Sequence, residues 1–68
     1  MKKTCIINFN SFGFVNVSEE ATTIEKDKEY TLEEQYDDKI KTKYYNVIDN
    51  DEVITTISES ELNTFFKN

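Results

Sequence analysis

The segment YTLEEQYDDKIKTKYYNVIDNDEVITTI, residues 30–57, alternates two kinds of side chain along much of its length. At its start, Tyr30, Leu32 and Glu34 share one side of an extended chain, while Thr31 and Glu33 share the other. A period of two residues is typical of a β-strand with one buried face and one hydrated face. We therefore predict a strand from Tyr30 that turns Tyr30 and Leu32 toward a core.

The same segment predicts two further strands. Residues 41–48 alternate again, and we expect Tyr45 and Val47 to face the core while Tyr44 lies on the opposite face. The last strand, residues 53–57, is rich in β-branched side chains. Its expected inward face carries Val53, Thr55 and Ile57.

Two acidic segments separate these strands. Residues 36–39, YDDK, contain two aspartates that can accept backbone N–H groups within a turn. Residues 49–52, DNDE, contain Asn50 and Asp51, and these residue types tolerate the positive φ of a tight hairpin. We therefore predict an antiparallel sheet joined by two acidic turns.

The N-terminal third has a weaker pattern. Residues 10–13, NSFG, predict a turn, residues 14–17, FVNV, predict a second short strand, and residues 18–23 predict a loop. Residues 4–9 have the composition of a first strand. Its expected common face carries Cys5, Ile7 and Phe9.

The period changes at the C-terminal end. Ser58 precedes Glu61 by three residues, which is the spacing of a capping box at the start of a helix. Apolar side chains then recur at helical spacing, at Leu62, Phe65 and Phe66. We predict a short helical turn that folds its apolar side onto the sheet.

The length and these elements together predict a fold class. Sixty-eight residues make a single domain, residues 1–68, that buries only about 60% of its unfolded surface. Five short strands and a terminal helical turn predict a mainly all-β protein. The expected architecture is a small five-stranded antiparallel barrel of the SH3-like kind.

Composition excludes several classes of function. Cys5 is the only cysteine and the chain has no His, so a papain-like nucleophile, a structural zinc site and an internal disulfide are excluded. The N-terminal apolar run is interrupted at Asn8, too early for a signal peptide, and no stretch reaches the ~20 apolar residues of a membrane span. We expect a cytoplasmic protein without a cofactor or a membrane partner.

The charge points to a basic partner. Fourteen acids and eight lysines give a formal net charge of −6, and there is no arginine. Because arginine forks onto phosphates and guanine edges, its absence and the negative charge argue against direct nucleic-acid binding. Nine acids lie in residues 19–38 and five in residues 49–61, whereas residues 39–48 carry three lysines. Bands of this kind can be recognised by a partner with a basic surface.

Two segments resemble a known group of proteins. IEKDKEYTL, residues 24–32, and YYNVIDNDEVITTISESEL, residues 44–62, resemble small SH3-like proteins encoded by phages and mobile elements of low-GC bacteria. Asp27 stands where that group commonly has Gly, and Glu52 or Val53 stands where a Gly usually follows the hairpin acids. The resemblance implies an SH3-like fold, a phage or prophage source, and a role as an accessory protein that acts by binding.

The candidate partner-binding residues are acids and exposed tyrosines. Calcium binding by the hairpin acids is disfavoured because the calcium-loop Gly and terminal acid are missing, and acid–base catalysis is disfavoured because nothing apolar surrounds the carboxylates. A polyproline groove would use clustered aromatics flanked by acids, but the chain has no Trp. The predicted binding set is Glu33, Glu34, Tyr36, Asp37, Asp38, Tyr44, Asp49, Asp51 and Glu52.

These observations favour a non-enzymatic interaction module. We expect a phage-encoded protein that binds and inhibits a host protein, such as a replication enzyme or a defence enzyme (an anti-CRISPR or anti-restriction role). The acids could imitate the charge of a nucleic acid in a basic channel. The alternative is a structural or assembly module that forms a homo-oligomer or part of a virion through exposed strand edges or the terminal Phe residues.

Overall fold

The structure is a computed structural model that describes residues 1–67. Within these residues, seven strands and one helix follow each other. They are β1 (Lys2–Cys5), β2 (Phe9–Ser11), β3 (Thr22–Ile24), β4 (Glu29–Asp37), β5 (Thr42–Asp49), β6 (Glu52–Ser58), α1 (Glu59–Phe65) and β7 (Phe66–Lys67).

Five of the strands form one antiparallel sheet, in the order β6-β5-β4-β1-β7, and β2 pairs with β3 in a separate ribbon. The all-β class and the five-stranded antiparallel sheet are therefore confirmed, but the expected barrel is wrong because the sheet does not close. Side chains rather than a backbone ladder bridge β6 and the ribbon. Ser11 Oγ shares a hydrogen bond of 2.9 Å with Thr55 Oγ1, and Thr22 Oγ1 donates to the Ile54 carbonyl at 3.1 Å.

The two faces of the large sheet differ in burial. The inner face carries the buried side chains of Tyr30, Leu32, Tyr45, Val47 and Ile57. Ile24 from the ribbon, Leu62 from α1 and Phe66 from β7 complete that core. The outer face carries the alternate residues, among them Thr31, Glu33, Tyr44, Asn46 and Thr56. The predicted inward positions of Tyr30, Leu32, Tyr45 and Val47 are confirmed.

The hairpin between β5 and β6 is confirmed, with Asn50 and Asp51 both at positive φ, 50° and 64°. The predicted common face of β6 is wrong at Val53. Val47 pairs with Thr55 but Ile48 pairs with Val53, so one extra residue is inserted in β6. Such a bulge moves the following side chains to the other face. Ile57 stays buried, whereas Val53 pairs on the outer face and is 54% exposed.

The predicted first strand is also too long. β1 ends at Cys5, which is buried as expected, but Ile7 is more than half exposed. The Cys5 thiol donates to the Ile7 carbonyl at 2.9 Å, which marks the bend where the chain leaves the sheet. The predicted strand over residues 14–17 is an irregular loop, and the predicted loop over residues 18–23 includes the start of β3. Asp27 adopts φ 69°, a left-handed turn conformation, at the position where the resembled group has Gly.

The C-terminal helix closes the core as predicted. Ser58 Oγ accepts from the Glu61 N–H at 3.1 Å, and the Glu61 carboxylate accepts from the Ser58 N–H at 3.0 Å. The Phe65 ring stacks on Phe9 with 4.3 Å between ring centroids. Phe66 does not extend the helix but begins β7, where its ring meets Tyr30 edge-on at 6.2 Å.

Replacing Ser58 with Ala should lower the free energy of unfolding by about 1 kcal/mol, because the Glu61 N–H at the start of the helix loses its hydroxyl acceptor. Urea denaturation followed by circular dichroism measures this change. Ser60→Ala is the matched control, since Ser60 is exposed within the same helix and makes no part of the cap. Equal losses in the two variants would contradict a capping role for Ser58.

Candidate functional site

The nine predicted binding residues do not form one surface. Neighbouring residues in a strand point to opposite faces, so Glu33 lies on the outer face while Glu34 lies on the inner side, beyond the core. Asp38 lies in the turn between β4 and β5. The remaining residues fall into three sets: Asp37 and Tyr44 on the outer face, Tyr36 on the inner side, and Asp49, Asp51 and Glu52 at the far hairpin.

The two ends of the sheet that carry predicted binding acids are well separated. Thr42 and Asp49, the ends of β5, are seven residues apart. At about 3.3 Å per residue, they lie roughly 23 Å apart. The β4–β5 turn and the β5–β6 hairpin therefore cannot contribute to one small contact.

Two of the predicted binding acids are already paired with lysines. Lys43 Nζ lies 3.6 Å from Glu34 and 3.5 Å from Glu59, and Lys28 Nζ lies 2.7 Å from Asp49. The carboxylates of Glu34 and Glu59 raise the pKa of Lys43, and the hydrogen bond to Asp49 raises the pKa of Lys28. These pairs reduce the negative potential that Glu34 and Asp49 present to a partner.

The carboxylates of the outer face form no ion pair within the described residues, although Lys2 lies on the same face, opposite Thr31. Within residues 1–67, Glu33 forms no ion pair, and its partner across β5 is the neutral Asn46. Glu29 lies on the same face at the start of β4, also without an ion pair. Asp37 lies there too, although its Oδ1 accepts from the Lys39 N–H at 2.8 Å and so supports the turn. Glu29 is missing from the predicted set, yet the two-residue period relates it to Glu33.

The tyrosines of the predicted set do not form a groove. Tyr36 is 60% exposed on the inner side, whereas Tyr44 is half-buried on the outer face. Phe14 covers Tyr44, with 6.5 Å between the ring centroids. Tyr30 and Tyr45 belong to the core. An aromatic groove of the polyproline-binding type is therefore not formed by these four tyrosines.

A loop over residues 12–18, here called the strap, crosses the outer face of β6. The Thr56 hydroxyl accepts from the N–H groups of Phe14 and Val15 at 2.8 and 3.0 Å, and donates to the Val15 carbonyl at 2.9 Å. Positive φ at Gly13 (96°) and Asn16 (56°) lets the chain fold back on itself. Thr56 is consequently buried although it lies on the outer face.

The strap, β6 and the ribbon border an open hollow of about 300 Å³. Phe12 and Val53, which are 53% and 54% exposed, contribute apolar surface to its lining, and Glu20 contributes a carboxylate. Sequence reasoning missed this hollow because it assigned Phe14 to a strand. The only local signal for the strap was the presence of Gly13 and Asn16, two residue types that accept a left-handed backbone.

Three further observations define the setting of this surface. In the described part of the chain, no three His, Cys, Asp or Glu side chains come together in a way that could hold a metal ion. Over the same residues, no helix is both long enough and apolar enough to cross a membrane. Comparisons with protein-family models, with curated proteins and with solved structures found no match. The geometry of the outer face and the hollow is therefore the basis for a proposed function.

Replacing Thr56 with Val should loosen the strap at Val15, because the isosteric side chain removes the hydroxyl partner of the Val15 N–H and carbonyl. The Phe14 N–H keeps the Thr56 carbonyl as its acceptor. We expect a loss of about 1–3 kcal/mol in the free energy of unfolding and faster amide exchange at Val15. Hydrogen exchange followed by NMR measures the second effect. Thr31→Val, on the same face, is the control, and unchanged exchange at Val15 in the Thr56 variant would refute the anchoring role.

Stability should fall in alkaline solution partly because of Tyr45. Burial raises the pKa of Tyr45 above its ordinary value of about 10. The unfolded chain then loses this proton first, so the contribution is complete below about pH 10 and is lost as the pH rises through the folded pKa. Urea melts from pH 8 to 11 should show a shallower decline for Tyr45→Phe. The same flattening in Tyr36→Phe, where the ring lies mostly in solvent, would contradict this assignment.

Proposed function

We propose that this chain is a small protein-interaction module, encoded by a phage or another mobile element, that binds and inhibits a host protein in the host cytoplasm. The partner would present a basic surface, as a defence or replication enzyme does where it holds nucleic acid. The proposal rests on the net charge of −6, the absence of arginine and the resemblance of residues 24–32 and 44–62 to small SH3-like accessory proteins.

The observation that supports it most directly is the distribution of ion pairs between the two faces. Lys43 pairs with Glu34 on the inner side, whereas Glu33 on the outer face forms no ion pair within the described residues and lies opposite Asn46. Lys2 shares this face, opposite Thr31, but does not come within ion-pair distance of Glu33. A carboxylate that is not paired within its own chain exerts more attraction on an approaching cation. The outer face of β4 is thus the part of the sheet best suited to steer a basic partner.

Imitation of a nucleic acid is the finer version of this proposal. Glu29, Glu33 and Asp37 occur every four residues along the outer face of β4, so successive carboxylates are about 13 Å apart. A nucleic-acid strand rises about 3.4 Å per phosphate along its axis. One carboxylate would therefore correspond to about four phosphates, which supports partial occupation of a basic channel more than replacement of each phosphate.

A structural or assembly module remains the second candidate, and one observation favours it. Ile40 is half exposed at the tip of the β4–β5 turn, between Lys39 and Lys41. An apolar tip flanked by lysines could contact the acidic surface of another copy. Light scattering that gives a monomeric mass at tens of micromolar would remove this candidate.

Glu33→Lys and Glu34→Lys test the interaction proposal with the same change of charge on opposite faces. The tagged protein is used to capture the partner from a bacterial lysate, and the purified pair is then titrated at increasing salt. We expect Glu33→Lys to weaken binding at least about tenfold, since like charges across an interface cost more than the ~1.4 kcal/mol of a tenfold change. Glu34→Lys should have a smaller effect.

Circular dichroism verifies that both variants are folded. Equal weakening by the two variants would mean that only total charge matters, and the outer face would lose its assigned role. Binding that does not change with salt would rule out both electrostatic steering and charge imitation.

A further inference from the structure

The hollow between the strap and β6 exposes large apolar side chains on a small acidic protein. Phe12 and Val53 contribute to its lining from the strap and from β6, and each is more than half exposed. Val15 and the half-buried Ile54 extend the apolar lining. Polar residues contribute to the same lining, so the surface of the hollow is mixed; they include Ser11, Ser18, Thr22, Thr55 and Thr56. A single exposed apolar residue is ordinary, but several apolar side chains around a concave site, with polar groups among them, are typical of a binding surface.

The strap holds these side chains in place. In addition to the three hydrogen bonds of the Thr56 hydroxyl, the Ser18 N–H donates to the Phe12 carbonyl at 2.9 Å. The Gly13 N–H donates to Ser11 Oγ at 3.2 Å, which fixes the strap to the end of β2. Because the backbone on both sides of Phe12 is already ordered, a partner would lose little conformational entropy of this loop on binding.

The charge around the hollow selects the chemistry of its occupant. Among residues 1–67, Glu20 is the only charged residue in the lining, and no lysine of that range contributes to it. Glu19 and Glu52 adjoin lining residues in sequence. An apolar side chain with lysine or arginine beside it would complement both the apolar lining and the acidic border.

We propose that this hollow receives one large apolar side chain from a partner protein, in a segment where lysine or arginine flanks that side chain. This inference rests on the proposed protein-binding function and adds a specific contact to it. The hollow adjoins the outer face, because Val53 pairs with Ile48 and Thr56 with Asn46 there. One partner could therefore contact Glu33 and fill the hollow together.

A second copy of this chain is the less suitable occupant. Residues 39–41 have the required chemistry, with Ile40 between two lysines. However, a stable interface buries at least about 1,000 Å², and these three residues of the β4–β5 turn offer little surface beyond its tip. The segment we expect therefore belongs to a different protein.

The test uses a defined probe, a capped peptide with phenylalanine between two lysines, titrated into ¹⁵N-labelled protein and followed by NMR. We expect saturable shifts at Gly13, at Val15 and over residues 53–56, with a Kd of about 1 mM, as suits so small a ligand. A peptide with serine in place of phenylalanine should bind about tenfold more weakly or worse. A peptide with glutamate in place of both lysines should bind less than the lysine peptide.

Matched variants locate the contact. Val53→Thr keeps the shape and the strand preference of Val53 and should weaken the peptide, whereas Val17→Thr should not, because Val17 is 72% exposed and does not line the hollow. Glu20→Gln should weaken it more than Glu19→Gln. Equal effects within either pair, or shifts centred on Glu33, would overturn the proposal.

Two outcomes separate this inference from the proposed function. If the peptide does not bind but the captured partner still depends on Glu33, the hollow proposal fails alone. If the peptide fills the hollow but Glu33→Lys leaves the partner unaffected, the outer-face proposal fails alone. Self-association of the protein in sedimentation experiments that Ile40→Ser abolishes would assign the hollow to a second copy and overturn the proposed occupant.

Discussion

Leu32 and Val47 face each other across β4 and β5, and both are almost completely shielded from water. This cross-strand pair fixes the register of the sheet, since a shift of one residue would expose both side chains. The same register determines the face of every charged neighbour. Glu33 is placed outward because Leu32 is placed inward, so the apolar core and the acidic surface have one physical origin.

The two-residue alternation thus determines both which side chains are buried and which face each charged side chain occupies. On the inner side, Glu34 lies on the same face of β4 as Leu32 but beyond the edge of the core. Its carboxylate pairs there with Lys43. On the outer face, the cross-strand partner of Glu33 is Asn46. A single step along the chain therefore separates a carboxylate that is paired with lysine from one that is not. This contrast supports an electrostatic docking surface more specifically than net charge does.

The sequence predicted the features that depend on local spacing. The two-residue period identified the inward side chains of β4 and β5, and the Ser58–Glu61 spacing identified the start of α1, because each signal lies within a few neighbouring residues. The strap could not be predicted in this way, since Phe14 is held by Thr56, 42 residues later. Val53 was misplaced because one inserted residue in β6 reverses the alternation. The predicted binding set joins residues that are close in sequence, although the two-residue period places Glu33 and Glu34 on opposite faces.

The hydrogen bonds that β6 makes to the strap and the ribbon affect how the protein behaves at high concentration. An outermost strand normally offers free backbone groups that template intermolecular β-pairing. Here the Thr56 carbonyl accepts from the Phe14 N–H at 2.9 Å, and the Ile54 carbonyl accepts from the Thr22 hydroxyl. Two acceptors that would otherwise recruit a foreign strand are occupied internally. The strap and the ribbon therefore protect this edge of the sheet from amyloid-like pairing with another chain. A short chain with so many β-branched and aromatic residues would otherwise be prone to such pairing.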